Sequence, residues 1–160
     1  MAEETTGAAR AIIASALDWQ EAHATFDAAV ADCPAALRGV RPKVFPHSAW
    51  ELVEHIRIAQ EDLADFMESA DYPVIKWPDD YWPKSPEPPS DEAWENSIKA
   101  VLRDRDRLKE IALRPSIDVT AKIPWGTGQT YLRTILVAID HTAYHVGQII
   151  AVRKLLNAWP

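Results

Sequence analysis

The sequence contains a single cysteine, Cys33, and no long uninterrupted apolar run. One cysteine excludes a disulfide framework within the chain and is typical of proteins from a reducing compartment. No stretch approaches the roughly 18 to 20 apolar residues that span a bilayer, and the N-terminus lacks the regions of a secretory signal. We therefore expect a soluble, cytoplasmic protein with no membrane partner.

Positive charge is also scarce. The chain has 17 Lys and Arg residues against 24 Asp and Glu residues, a formal net charge of −7, which disfavours nucleic acid as a partner. With 48% hydrophobic and 26% charged residues, the composition is that of an ordinary globular protein. A length of 160 residues suits one sizeable core, so we expect a single domain spanning residues 1–160.

Two helices are predicted in the first half of the chain. Between residues 10 and 32 apolar side chains recur at spacings of three and four, which predicts helix one, with His23 on its inward face. Ser48 and Glu51 have the spacing of a capping box and predict the start of helix two. Helix two is predicted to extend to about residue 69 or 70, with His55 pointing inward.

A proline-rich segment follows helix two. Residues 71–90 contain six prolines, which exclude regular helix because proline lacks the backbone N–H and its ring clashes with the preceding turn. The segment also contains Trp77, Tyr81 and Trp82, which indicate that it packs against the body of the protein. It is long enough to pass from one end of a helix to the other, so helices two and three can run parallel.

Two further helices are predicted in the second half. Ser90 is predicted to cap helix three, which extends to about residue 113, and Thr130 is predicted to cap helix four, which extends to about residue 156 or 157. Prolines and glycines between residues 114 and 129 predict an irregular connection. Four amphipathic helices with no convincing set of strands predict an all-α four-helix bundle.

The histidines are the candidate site. His141 and His145 are four residues apart on helix four and share its apolar face. Such a pair, with a third ligand from another helix such as His55, can bind zinc, nickel, iron or copper and leave coordination positions open. Core histidines satisfied by hydrogen bonds are the alternative. Thr142 stands where the H-E-x-x-H motif has its glutamate, which disfavours a metalloprotease.

Three stretches of the sequence resemble the DinB-like superfamily. They read SAWELVEHI at residues 48–56, DHTAYHVGQI at residues 140–149 and RKLL at residues 153–156. The resemblance covers nearly the whole chain. It implies a four-helix bundle in up-down-down-up order, in which the proline-rich segment is the long crossover between helices two and three. It also implies a homodimer, since members of the superfamily are commonly dimeric.

The resemblance further implies a metal site and an activity. In the superfamily one histidine of helix two and two of helix four bind a divalent metal, usually zinc or nickel, and these positions match His55, His141 and His145. Some relatives are S-transferases that use bacillithiol or mycothiol. This implies a metal-dependent thiol S-transferase that takes a small-molecule substrate and a low-molecular-weight thiol. Activation of a metal-bound water in place of the thiol would make the protein a hydrolase. The alternative is a non-catalytic, metal-dependent stress-response or ligand-binding protein.

Further polar residues are candidates for the surroundings of the metal. Gln148 is a candidate hydrogen-bond partner for a ligand histidine, with packing between helices as the alternative. Tyr144 is a candidate donor of a hydrogen bond into the site. His23 is a candidate fourth ligand or pocket residue, with a packed histidine as the alternative. His47 is expected to be exposed at the start of helix two.

Arg105 interrupts the apolar face of helix three. Its functional interpretation is an anion clamp for a substrate carboxylate. The structural interpretations are an ion pair, with Glu51 or Asp62 as the expected acid, or a guanidinium that extends outward to solvent. A pocket for a thiol is expected to draw on tryptophans near the end of the bundle, namely Trp77, Trp82 or Trp125.

Overall fold

The computed structural model describes residues 2–160, with side chains from residue 6 onward. This part of the chain is mostly helical and contains no strand, although Lys122 and Thr130 form an isolated antiparallel bridge. The predicted all-α class is therefore confirmed. The helices are α1 (Ala2–Ser15), α2 (Phe26–Val30), α3 (Ala49–Glu68), α4 (Asp91–Leu113) and α5 (Tyr131–Leu155).

Side-chain caps determine where the three long helices begin. The Ser48 hydroxyl accepts a hydrogen bond from the Glu51 N–H at 3.2 Å, and the Glu51 carboxylate accepts one from the Ser48 N–H at 2.9 Å. This is the predicted capping box. Ser90 and Thr130 cap α4 and α5 through their hydroxyls. Each cap satisfies a backbone donor that the helix leaves free, so the predicted starts are confirmed.

Glu51 also binds Arg41 at the start of α3. Its carboxylate accepts hydrogen bonds from the Arg41 guanidinium. Burial alone would raise the pKa of Glu51, but the hydrogen bonds from Arg41 and from the Ser48 N–H outweigh it and hold the pKa below its usual value. The carboxylate is therefore ionised at neutral pH, where a negative charge stabilises the N-terminus of a helix.

The predicted helix one is wrong in extent and in continuity. α1 begins at Ala2 and ends at Ser15, a 3-10 turn follows over Ala16–Asp18, and α2 begins only at Phe26. Thr25 caps α2 by accepting a hydrogen bond from the Ala28 N–H. Because α1 packs against α4 whereas α2 packs against α5, the break lets the two segments bury their apolar faces against different helices.

A buried arginine of α5 forms hydrogen bonds with the end of α2. Arg153 is 3% exposed and donates hydrogen bonds to the carbonyls of Ala29 and Ala31, at 2.8 Å each. Carbonyls at the end of a helix have no partner within the helix. A helix of five residues is unstable by itself, so these contacts and its apolar packing stabilise α2.

The long helices pack around two clusters of apolar side chains. α3 contacts both α4 and α5. The first cluster joins α2 to the first halves of α3 and α4 and the last half of α5. The second joins α1 to the last turns of α3 and α4 and the start of α5. Arg107 of α4 donates to Asp65 and Glu68 of α3 at 2.6 Å each, which places the last turns of these two helices side by side.

The α3–α4 connection (residues 69–90) contains the 3-10 turn Asp79–Tyr81 and no α-helix, as its prolines predict. α5 is the described helix that is long and apolar enough to cross a membrane by length and composition alone. Part of this apolar character serves packing, because Ile135, Ala138 and Ile149 are fully buried within the protein.

Candidate metal centre

Three histidines from two packed helices converge. α3 contributes His55, and α5 contributes His141 and His145, which lie one turn apart and therefore project from the same face. His55 and His145 are buried, with exposed fractions of 2% and 7%, whereas His141 is half-buried. The structure thus brings together the three residues that the sequence singled out as metal ligands.

The ring nitrogens of these histidines face one another. The Nε2 atoms of His55 and His141 are 3.0 Å apart, and each of the three residues offers a ring nitrogen within 4.8 Å of the other two. The ring centroids of the three pairs are 4.4 to 4.7 Å apart. Two ring nitrogens 3.0 Å apart need a proton or a cation between them, because two facing lone pairs repel each other.

Carbonyl oxygens engage the outer nitrogens of two of the rings. His55 Nδ1 lies 2.7 Å from the main-chain carbonyl oxygen of Tyr81, and His145 Nδ1 lies 2.7 Å from Gln148 Oε1. Since a carbonyl oxygen only accepts, both Nδ1 atoms carry the hydrogen in this arrangement. The Nε2 atoms are then unprotonated, which is the form that binds a metal.

One aromatic ring of the α3–α4 connection, that of Trp82, covers His55. The Trp82 indole stacks on the His55 imidazole with centroids 3.9 Å apart and planes 3° apart, and His47 stacks on Trp82 at 4.2 Å. His47 is therefore half-buried against Trp82 rather than exposed as expected. Of the other tryptophans considered for a pocket, Trp77 is 68% exposed and Trp125 donates to the Phe66 carbonyl near the end of α3.

Burial keeps the three histidines neutral. It lowers the pKa of His141 to about 3, with further lowering by the charges of His145 and His55. The pKa of His145 falls to about 4 through burial and the charge of His55, although the hydrogen bond to Gln148 opposes the change. Burial also lowers the pKa of His55, against the opposing effect of its bond to Tyr81. At neutral pH all three rings offer lone pairs.

Sequence reasoning missed a hydrogen bond between α3 and α5 beside the histidines. Gln60, 2% exposed, donates through Nε2 to the Thr142 hydroxyl at 3.0 Å. Sequence reasoning also did not predict that the main-chain carbonyl of Tyr81 is the hydrogen-bond partner of His55. A polar side chain on the apolar face of helix two was a usable signal for Gln60, whereas no sequence signal identifies a main-chain carbonyl.

The remaining candidates near the site have different surroundings. The Tyr144 ring contacts the edge of His145 with centroids 4.9 Å apart, and the residue is 64% exposed. His23 lies in the exposed segment between α1 and α2 rather than on a helix. It is not brought to the histidine cluster, and it borders a cavity of about 100 Å³ that Thr142 also lines.

Arg105 does not pair with either of the acids expected for it. Its Nη1 lies 2.6 Å from Asp27 Oδ2 of α2, and its side chain is 13% exposed. Glu51 instead binds Arg41, and Asp62 accepts a hydrogen bond from Tyr81. The expected partners were wrong because helix one breaks, and the break places an acid of α2 beside α4.

The donor set fits a divalent transition metal. Three neutral imidazoles with converging nitrogens match the ligand preferences of zinc, nickel, iron and copper. Two of the three rings also have the carbonyl partners on their far nitrogens that metal-ligating histidines ordinarily have. Three protein ligands leave a coordination position open, as in catalytic sites.

Comparison with known protein families agrees with this arrangement. The DinB superfamily matches residues 18–149, a range that contains α2 to α5 up to Ile149 and all three histidines of the cluster. Neither the curated proteins nor the solved structures include a significant match to the chain. The match extends over most of the sequence and includes the helices that hold the site, and the chain therefore belongs to the DinB superfamily.

Proposed function

We propose that this chain binds a zinc or nickel ion through His55, His141 and His145 and acts as a metal-dependent thiol S-transferase or hydrolase on a small molecule. The observation that carries the proposal is the convergence of three ring nitrogens within 4.8 Å of one another. The hydrogen bonds of His55 to the Tyr81 carbonyl and of His145 to Gln148 support it, because they orient two of these nitrogens inward.

A divalent ion with an open position supplies a Lewis acid that lowers the pKa of a bound thiol or water. The protein's own groups hold the ligand rings and limit access to them. The Tyr81 carbonyl and Gln148 keep the protons of His55 and His145 on Nδ1. Trp82 covers His55, whereas His141 is the least buried of the three, so a low-molecular-weight thiol approaches beside His141.

The proposal includes the arrangement expected for the superfamily. The side-by-side last turns of α3 and α4, joined by Arg107, support an up-down-down-up four-helix bundle with residues 69–90 as its crossover. We also propose a homodimer in the cytoplasm. Equilibrium ultracentrifugation of the full chain tests the dimer, and a mass of one protomer at micromolar concentration would exclude a stable one.

Metal binding is tested by elemental analysis of purified wild-type protein and of the variants His55→Ala, His141→Ala and His145→Ala. The wild type is expected to contain about one ion per chain and each variant much less, because two imidazoles hold a divalent ion far less tightly than three. The matched control is His23→Ala, which removes a histidine outside the cluster. Equal metal content in all five samples would exclude the site.

The activity is tested separately by titrating the metal-loaded protein with a panel of low-molecular-weight thiols in a calorimeter. Heat that appears only with the loaded protein, followed by transfer of the thiol to a reactive electrophile, is the expected result. A loaded protein that binds none of the thiols and hydrolyses no ester or amide of the panel would instead identify a non-catalytic metal-dependent protein.

A further inference from the structure

The hydrogen-bond partner of His55 comes from outside the helices. His55 Nδ1 lies 2.7 Å from the main-chain carbonyl of Tyr81, and Tyr81 ends the 3-10 turn of the α3–α4 connection. The next residue, Trp82, stacks on the same imidazole. The orientation of a proposed metal ligand on α3 therefore depends on where the connection lies.

A second contact holds this part of the connection on α3. The Tyr81 hydroxyl donates to Asp62 Oδ2 at 2.6 Å. Asp62 lies seven residues after His55, two turns along the same face of α3. Tyr81 thus bridges two points of one helix, with its carbonyl at His55 and its hydroxyl at Asp62.

We propose that Tyr81 is a positioning residue for the metal site, because its bond to Asp62 holds its carbonyl against His55. This inference rests on the metal site proposed above. The carbonyl keeps the hydrogen on Nδ1 and aims Nε2 at the cluster, which is how outer partners raise metal affinity. The turn that carries Tyr81 has hydrogen bonds of its own, from the Asp80 N–H to the Lys76 carbonyl and from the Tyr81 N–H to the Pro78 carbonyl. These bonds lie within the connection and do not attach it to α3, whereas the bond from the Tyr81 hydroxyl to Asp62 does.

The test measures Co²⁺ affinity of the full chain by competition with a chelating dye, together with the visible absorption spectrum of bound Co²⁺. Tyr81→Phe and Asp62→Ala each remove the bond without touching a ligand. Each is expected to weaken Co²⁺ binding roughly tenfold, the lower end of the range for outer partners, and to alter the spectrum. Asp62→Asn retains an acceptor and is expected to keep affinity near that of the wild type.

The double variant Tyr81→Phe with Asp62→Ala separates one shared bond from two unrelated effects. If the bond is what matters, the double variant loses no more affinity than either single variant. Tyr72→Phe is the matched control, since it removes a hydroxyl from the same connection while its ring packs on Phe66. Unfolding curves of the metal-free variants establish whether each is folded. If Tyr81→Phe does not fold, the comparison of Asp62→Ala with Asp62→Asn still tests whether the bond supports Co²⁺ binding.

The outcomes distinguish the two proposals. A wild type that does not bind Co²⁺, or a His141→Ala variant that binds it equally well, overturns the metal site and this inference with it. Co²⁺ binding that His141→Ala abolishes but Tyr81→Phe and Asp62→Ala leave unchanged overturns the role of Tyr81 alone. Additive losses in the double variant, or equal losses in Asp62→Asn and Asp62→Ala, also overturn it.

Discussion

Replacing Gln148 by methionine tests how the structure orients His145. Gln148→Met keeps the length of the side chain but removes the oxygen that lies 2.7 Å from His145 Nδ1. His145 is 7% exposed, so water has little access to the Nδ1–H that loses its acceptor. The perturbation therefore leaves a buried donor unpaired while the three ring nitrogens of the cluster stay in place.

The size of the effect follows from the bond that is lost. A buried donor without a partner costs about 1 to 3 kcal/mol, and this cost is present with and without metal, so the free energy of unfolding falls by that amount in the metal-free protein. Metal binding makes the Nδ1–H a stronger donor. We expect this additional loss to be about 1.4 kcal/mol, a roughly tenfold weaker affinity, at the lower end of values for outer partners.

The assay is zinc competition against a chelating dye, combined with urea denaturation of the metal-free protein. Gln148→Glu is the counterpart, because its carboxylate still accepts from Nδ1 and is expected to keep or raise the affinity. Gln20→Met, at an exposed position, controls for the gain of a methionine. An affinity of Gln148→Met within twofold of the wild type, or equal affinities of the two Gln148 variants, would refute the reasoning.

Three further predictions concern stability in urea. The free energy of unfolding of the metal-free protein should decrease as pH falls from about 6.5 towards 4. Burial lowers the pKa of His145 to about 4, so in this range the unfolded chain binds a proton at His145 that the folded chain does not. A His145→Gln variant whose free energy of unfolding changes equally steeply with pH would contradict this. Glu51→Ala should lower the free energy of unfolding by about 2 kcal/mol at pH 7. The difference from the wild type should shrink as pH falls through the lowered pKa of Glu51, since the wild type then loses the same charge. A difference independent of pH would argue against the ionised cap. Arg153→Met should cost about 1 to 3 kcal/mol, because the buried carbonyl of Ala29 loses its donor. The carbonyl of Ala31, an exposed residue, can turn to water instead. A cost below about 0.5 kcal/mol would show that the Ala29 carbonyl finds another partner.

Local rules were enough to predict the long helices and the inward histidines. The Ser48 capping box depends on residues three apart in the chain, and such contacts are the same whatever the helix packs against. The spacing of His141 and His145 places both rings on one face of any helix. These features depend on short sequence separations, and the structure confirmed the helix starts and brought the two rings together.

The break between α1 and α2 was not predictable in the same way. Residues 10–32 have a helical spacing of apolar residues, but α1 packs on α4 and α2 on α5. Which helix receives each segment depends on contacts such as that of Arg153 with Ala29, 124 residues apart. The partner of Arg105 depends on the same break, which is why Asp27 was not expected.

The sequence by itself determined the all-α class, the starts of the long helices and the three histidines, because each depends on side-chain type and on helical periodicity. Tertiary structure alone decided what surrounds those histidines. The Tyr81 carbonyl and the Trp82 indole reach His55 from a connection without helical periodicity, and a main-chain carbonyl has no residue type to signal it. Periodicity specifies the face of a helix, whereas only the folded chain specifies what lies against that face.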